Sequence, residues 1–188
     1  MKKDMITEEA VFESKDSVLL RYKGCEEFVI VPDGVTEIGR TAFQNNKTMK
    51  HISLPDTVAV IGFQAFAGCD CLEEADIPAS VRVIEAYAFM ECRNLKSVTL
   101  HEGLREISLW AFGSCRNLKS ITIPDSVRQI GQYALGFEKA GYQERYVYGM
   151  YHSFYNGFHI YHNDNEAAIK YIAFHKLSIR LVRNQGFL

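Results

Sequence analysis

The sequence contains no apolar run near the roughly 18 residues of a membrane-spanning helix, so it offers no helical span. It also lacks an excess of either charge: 21 Lys and Arg stand against 23 Asp and Glu, a net charge of −2 at pH 7. General binders of nucleic acid or anionic membrane draw on surplus Lys and Arg, and this balance argues against both. The five cysteines are an odd number and too sparse for a disulfide scaffold; they fit free thiols in a reducing compartment. Lys2 and Lys3 are not followed by an apolar h-region, so no signal peptide is visible and the sequence alone reads as cytoplasmic. There is no P-loop, no dinucleotide glycine motif, no His-Glu-x-x-His and no nucleophile elbow. What remains is an ordinary globular composition, 47% hydrophobic and 23% charged, in 188 residues that suit one domain.

A 23-residue period runs through the middle of the chain. Ile38, Ile61, Ile84, Ile107 and Ile130 form one column, and Ala42, Ala65, Ala88, Ala111 and Ala134 a second. Beside the alanines stand Phe43, Phe66, Phe89 and Phe112, with Leu135 closing the series. Val35, Val58, Val81, Leu104 and Val127 make another column, as do Met49, Leu72, Leu95 and Leu118. Pro32, Pro55, Pro78 and Pro124 are the only prolines, and all mark the same point of the unit, where His101 is the exception. Cys92-Arg93-Asn94-Leu95-Lys96-Ser97 recurs letter for letter from Cys115 to Ser120. A repeat this regular means a stacked array, because each short unit can bury its apolar side only against its neighbours.

The spacing inside the unit says what it builds. Val98-Thr99-Leu100 alternates apolar and polar, the period of a half-buried strand, and the proline column ends that strand because proline cannot donate to a ladder. In the other half, Val81, Ile84 and the Ala88-Phe89 pair are spaced three or four apart, which suits a short strand or turn running into one helical turn. Stacked coils would lie roughly 4.8 Å apart.

The pattern carried by Val127, Ile130 and Gly131, and by Ala111, Phe112, Cys115, Leu118, Ile121, Ile123 and Pro124, resembles the BspA-type leucine-rich repeat, closely over about residues 26 to 135. His101 for Pro, Asn46 for Cys, and Glu85 and Ser108 for Gly depart from it. The resemblance implies an α/β repeat solenoid: a right-handed leucine-rich-repeat coil of parallel short strands with short helical turns, capped at both ends. It also implies a non-enzymatic protein-interaction module, adhesin-like and secreted or at a cell surface, whose partner is a host-matrix or cell-surface protein.

On this reading the single domain divides into an N-terminal cap hairpin over 1–34, five repeats over 35–149 with the last degenerate, and a C-terminal cap over 150–188. Val18–Tyr22 and Phe28–Pro32 resemble an N-terminal hairpin. Residues 137 to 161 hold nine aromatics and read as a β-hairpin insertion. Phe158–Tyr161, a helix carrying Ala168, Tyr171, Ile172 and Phe174 on its packed side, and Leu177–Ile179 resemble a closing strand, helix and strand. Asn163 or Asn165 can cap the helix.

The outward positions of the longer strands are where a repeat sheet meets a ligand: His51 and Ser53, Glu74 and Asp76, Ser97 and Thr99, Ser120 and Thr122. Column neighbours are cross-strand neighbours, so His51 falls beside Glu74, and Ser53, Asp76, Thr99 and Thr122 make a polar ladder. Glu74 and Asp76, roughly 7 Å apart on one face, have the separation of a glycoside-hydrolase acid pair, but an open sheet supplies no apolar pocket to raise one pKa. Tyr87, Trp110 and Tyr133 form an aromatic column with Phe63 and Leu109 beside it, a stacking surface or simple packing. Arg82, Arg105 and Arg128 set like charges in a column that an acid or an anion would have to answer.

Cys69, Cys92 and Cys115 share an inward column, read as core packing, while Cys71 points outward. Asn46 opens a formal glycosylation sequon but takes the same inward position. His159 and His162, three apart on a strand, would face opposite ways and make no metal pair. The site residues are therefore partner-binding ones, with no catalytic residue, metal or cofactor. The alternatives are an intracellular scaffold and a carbohydrate-active hydrolase using Glu74 and Asp76.

Overall fold

The structure is a computed structural model that describes residues 11–139, 152–154 and 158–175. Its strands are β1 (Phe12–Lys15), β2 (Val18–Tyr22), β3 (Phe28–Ile30), β4 (Glu37–Ile38), β5 (His51–Ser53), β6 (Val60–Ile61), β7 (Glu74–Ile77) and β8 (Val83–Ile84). They continue with β9 (Ser97–Leu100), β10 (Glu106–Ile107), β11 (Ser120–Ile123), β12 (Gln129–Ile130), β13 (Phe137–Lys139), β14 (His152–Phe154) and β15 (His159–His162). One helix follows, α1 (Glu166–Phe174).

The chain winds into a β-solenoid whose coils are tied on three sides. On the first, the short strands β2, β4, β6, β8, β10 and β12 pair in parallel, with Leu19, Ile38, Ile61, Ile84, Ile107 and Ile130 in one register. On the second, the longer strands β3, β5, β7 and β9 pair in parallel. The third side has no strands. There the amides of Phe43, Phe66, Phe89 and Phe112 donate to the carbonyls of Ala65, Ala88, Ala111 and Ala134 in the next coil, at 2.7–2.9 Å.

That third side corrects the helical turn expected after each short strand. The segment is a chain of i→i+3 turns: Ala65 donates to Gly62, Ala67 to Gln64 and Cys69 to Phe66. Thr41, Gln64, Tyr87, Trp110 and Tyr133 all have φ between +54° and +58° or just above, Tyr87 reaching +62°. Such left-handed residues cannot sit in an α-helix, and each costs about 1–2 kcal/mol outside glycine. In return the amide turns outward, so that Gln64 donates to Ala86, Tyr87 to Leu109 and Trp110 to Gln132 in the neighbouring coil.

Inside the triangle the phenylalanine column forms a stack. Phe43, Phe66, Phe89 and Phe112 have centroids 4.9, 4.8 and 5.1 Å apart with planes within 13°. Tyr22 precedes the stack at 5.1 Å from Phe43. The alanine column is 0–2% exposed, since the rings leave no room for a larger neighbour. Cys69, Cys92 and Cys115 are buried, and their thiols donate to the carbonyls of Phe43, Phe66 and Phe89 at 3.1 Å. Asn46 takes the equivalent place, its amide reaching the Gly24 carbonyl while its oxygen accepts from the amides of Thr48 and Met49.

At the N-terminal end the hairpin is made by β1 and β2, antiparallel with an irregularity at Glu13/Ser14. Val18–Tyr22 and Phe28–Ile30, read together as a hairpin, lie instead in different sheets as two sides of one coil. The physical reason is a shortened corner: Leu19 precedes Ile38 by four positions fewer than Val29 precedes Ile52, so the 23-residue step does not reach the first short strand.

At the other end β13 and β14 pair antiparallel and β15 pairs in parallel with β11; the rest of the expected aromatic-rich hairpin, 140–151 and 155–157, lies outside the described residues. Asn165 caps α1, accepting from the Ala168 amide at 2.9 Å and donating to the carbonyls of Pro124 and Val127. Tyr171 exchanges bonds with the backbone of Leu135. Ala167, Ala168 and Tyr171 are the buried helix residues, whereas Phe174, expected on the packed side, is 67% exposed. It comes three residues after Tyr171 and borders an open cleft with Arg128, Gln129 and Ile130 of the last coil. The strand expected over Leu177–Ile179 lies outside the described residues.

Removing one ring from the stack tests this packing. Phe89→Ala, at a site with no exposed surface between two stacked partners, should lower unfolding stability by about 3–5 kcal/mol in urea titration.

Candidate functional site

The longer strands present every second residue to solvent, and their register decides which side chains meet. In one row stand Phe28, His51, Glu74 and Ser97; in the next, Ile30, Ser53, Asp76 and Thr99. The His51–Glu74 and Asp76–Thr99 neighbours expected from the columns are therefore direct cross-strand pairs. His51 is half-buried because its ring stacks on Phe28, with centroids 4.6 Å apart and planes within 12°. Ser53, Glu74, Asp76, Ser97 and Thr99 are exposed.

The polar ladder stops short of its expected length. The hydrogen-bonded register ends at β9, and β11 pairs with β15 in a separate sheet, where Ser120 stands beside His159 and Thr122 beside Tyr161. The solvent-edge column changes at the same point. Lys50 pairs with Glu27 at 2.9 Å and Lys96 with Glu73, whose carboxyl that hydrogen bond lowers, but Lys119 follows Lys96 as a like charge. Lys119 turns to the Arg116 carbonyl, and Arg116 pairs with Glu138.

The acid pair is not enclosed. Asp76 accepts or shares a hydrogen bond with His101 Nε2 at 2.8 Å, 25 positions along the chain. A cleft of about 320 Å³ beside it is lined by Ser53, Leu54, Asp56, Asp76, Pro78 and His101 among others, and Glu74 does not line it. His101 replaces the column's proline without changing the turn, because Leu104 still donates to its carbonyl as Val58, Val81 and Val127 do to Pro55, Pro78 and Pro124. Among the described residues no group of three or more His, Cys, Asp or Glu is placed to hold a metal ion. His159 is half-buried and His162 buried on opposite faces of β15.

The aromatic column packs inward more than it faces a ligand. Tyr87 is half-buried, edge-on to Phe63 at 5.6 Å, and Arg40 lies over the other ring of that pair at 4.5 Å. Trp110 is 7% exposed and 5.1 Å from Tyr133, which in turn packs on Phe137 and His175. The arginine column is answered by backbone: Arg82 and Arg128 donate to the carbonyls of Ala79 and Asp125. Glu102 is held by the amides of Asp125 and Ser126, which lower its carboxyl pKa.

Phe28 and Ile30 were not among the residues singled out from the sequence, yet they carry the largest apolar exposure described, 69% and 74%. Their signal was present, one repeat before His51 and Ser53. His159 and Tyr161 extend the outward rows too, but an insertion displaces them from the 23-residue step.

Three-sided coils, an inward phenylalanine stack and a flat outward sheet define a leucine-rich-repeat solenoid, whose fold is a protein-interaction scaffold. The chain belongs to the BspA-type leucine-rich repeat family: the family described as "BspA type Leucine rich repeat region" matches residues 21–140 in six copies. Among solved structures it is similar to the leucine-rich repeat protein TpLRR of T. pallidum, with 31% identity and a TM-score of 0.65 over 68% of this chain and 65% of that one. A leucine-rich repeat protein from Bacteroides ovatus is 30% identical, with a TM-score of 0.53 over 56% of this chain and 27% of its own. The pneumococcal vaccine antigen PcpA shares the fold at 21% identity and a TM-score of 0.60, over 95% of this chain and 47% of that one. The chain thus spans less than two thirds of each of these proteins. No curated protein matches it.

The thiols give a direct test of the inward column. Burial pushes the Cys69 thiol up to about 12 and raises Cys92 strongly, while Cys25 is exposed and Cys71 half-buried. With a disulfide-exchange reagent at pH 8, Cys25 should react at once and Cys71 next. Cys69, Cys92 and Cys115 should react only on unfolding, for a total of five.

Proposed function

We propose that this chain is a protein-binding module that works through the outward face of the longer-strand sheet, without catalysis of its own, and that it does so at a cell surface. The observation that carries the reading is the pair Phe28 and Ile30, exposed on a flat face whose other outward residues are polar. An apolar patch rimmed by polar groups is the surface a protein partner covers. The coil holding that patch is tied to the next by strand pairing and by Tyr22 on the phenylalanine stack, so binding orders little backbone and loses little affinity to entropy. Among the described residues no helix is long and apolar enough to cross a membrane. The surface location rests on the family resemblance.

Hydrolysis by Glu74 and Asp76 has less support: the two carboxylates share a face but not a cleft, and Asp76 is engaged by His101. An intracellular scaffold would use the same face, so location separates it from a surface module.

A photoreactive residue at Thr99 on the binding face, compared with one at Gln129 on the short-strand side, tests the reading in the cells that make the protein. Thr99 should cross-link a discrete protein that Gln129 does not, and protease added to intact cells should remove the chain. Equal labelling from both positions would contradict the choice of face, and protection from protease would contradict the location.

A further inference from the structure

Two departures from the repeat meet in one place. Ala79 stands where the other coils carry Asp33, Asp56, Glu102 and Asp125, and His101 stands where they carry proline. Both line the cleft of about 320 Å³, with Asp56, Asp76 and Ser53 supplying oxygens and Leu54 and Pro78 an apolar wall. The small Ala79 side chain leaves space there, and His101 puts an imidazole where the other coils have proline.

The cleft carries two carboxylates, and the nearby Arg82 is held by the carbonyl of the lining Ala79. The Asp76 carboxylate is 74% exposed and its ion-pair neighbour is a histidine. Asp56 and Glu74 are exposed, and neither forms an ion pair with a lysine or arginine among the described residues. The lysines nearest in the fold are already taken, Lys50 by Glu27 and Lys96 by Glu73. Two strands away in the same rows stand Phe28 and Ile30, a separation of roughly 10 Å at ordinary strand spacing.

We propose that the protein bound on this face presents a lysine or arginine that seats between Asp56 and Asp76, about 10 Å from an apolar side chain that covers Phe28 and Ile30. The stem of the basic residue lies along Leu54 and Pro78, and its head makes charge-assisted hydrogen bonds to the two carboxylates. Glu74 beside the cleft adds long-range attraction that speeds encounter and weakens with salt. The proposal rests on the binding reading above and names the chemistry of its partner.

The test uses the full chain, immobilised, and a library of random 16-residue peptides displayed on phage. Bound peptides are then synthesised and measured on wild type, on the isosteric D56N/D76N variant and on F28S/I30S, all three checked by circular dichroism. The proposal expects enrichment of peptides pairing Lys or Arg with an apolar residue. It expects roughly tenfold or greater loss of their affinity on D56N/D76N, loss on F28S/I30S, and salt sensitivity that falls only in the first variant. Peptides lost on F28S/I30S but free of basic residues and indifferent to D56N/D76N would overturn the cleft while leaving the binding face intact. Selection of peptides indifferent to both variants, or of none above background, would overturn both.

Discussion

The rings of Phe43, Phe66, Phe89 and Phe112 stand 4.8–5.1 Å apart, on backbones hydrogen-bonded from coil to coil. Parallel strands are fixed near 4.8 Å by hydrogen-bond length, and nearly parallel rings are in contact at the same spacing. That match lets one residue type repeat in one column without strain accumulating from coil to coil. The rest of the interior follows from it. Alanine fills the neighbouring column because the rings occupy the remaining volume. A thiol fits the turn because a small donor must reach the phenylalanine carbonyl of the preceding coil. Left-handed residues recur at Thr41, Gln64, Tyr87 and Trp110, whose amides also donate to the next coil.

The ends of the array solve a different problem, since an unpaired coil exposes both apolar side chains and strand edges. At the N-terminal end β1 covers the short-strand sheet and Tyr22 begins the aromatic stack. At the C-terminal end β15 completes the outward rows, and α1 seals the last coil through Asn165 and Tyr171. The outward face is freer to vary, because no ring spacing constrains it. There the composition changes along the axis, from Phe28 and Ile30 through Glu74 and Asp76 to the hydroxyls of Ser97 and Thr99. Function is expected where local departures break a repeat whose packing does not require them, and Ala79 and His101 are two such departures.

The interior was legible from the sequence because periodicity and burial coincide: the Ile, Ala, Phe and Cys columns are the buried ones. The His51–Glu74 and Asp76–Thr99 pairs were legible for the same reason. The corners were less so. Three- and four-residue apolar spacing is shared by a helical turn and by a chain of tight turns, and only the left-handed φ values decide between them. Leu19 and Ile160 continue core columns, but a shortened corner before one and an insertion before the other hide them from a fixed step. Phe28 and Ile30 were within that step, yet their apolar character suggested a cap and not a face. The end of the hydrogen-bonded ladder at β9 was not legible, because Ser120 and Thr122 continue the outward columns of the repeat without a break.

The central claim is that the strandless side holds the coils together as firmly as the two sheets, and amide hydrogen exchange on the intact chain tests it most directly. The amides of Phe66, Phe89 and Phe112 should exchange as slowly as those of Ile61, Ile84 and Ile107 and open with them in one cooperative event. Exchange of the phenylalanine amides at the rates of exposed turns, while the isoleucine amides stay protected, would contradict it.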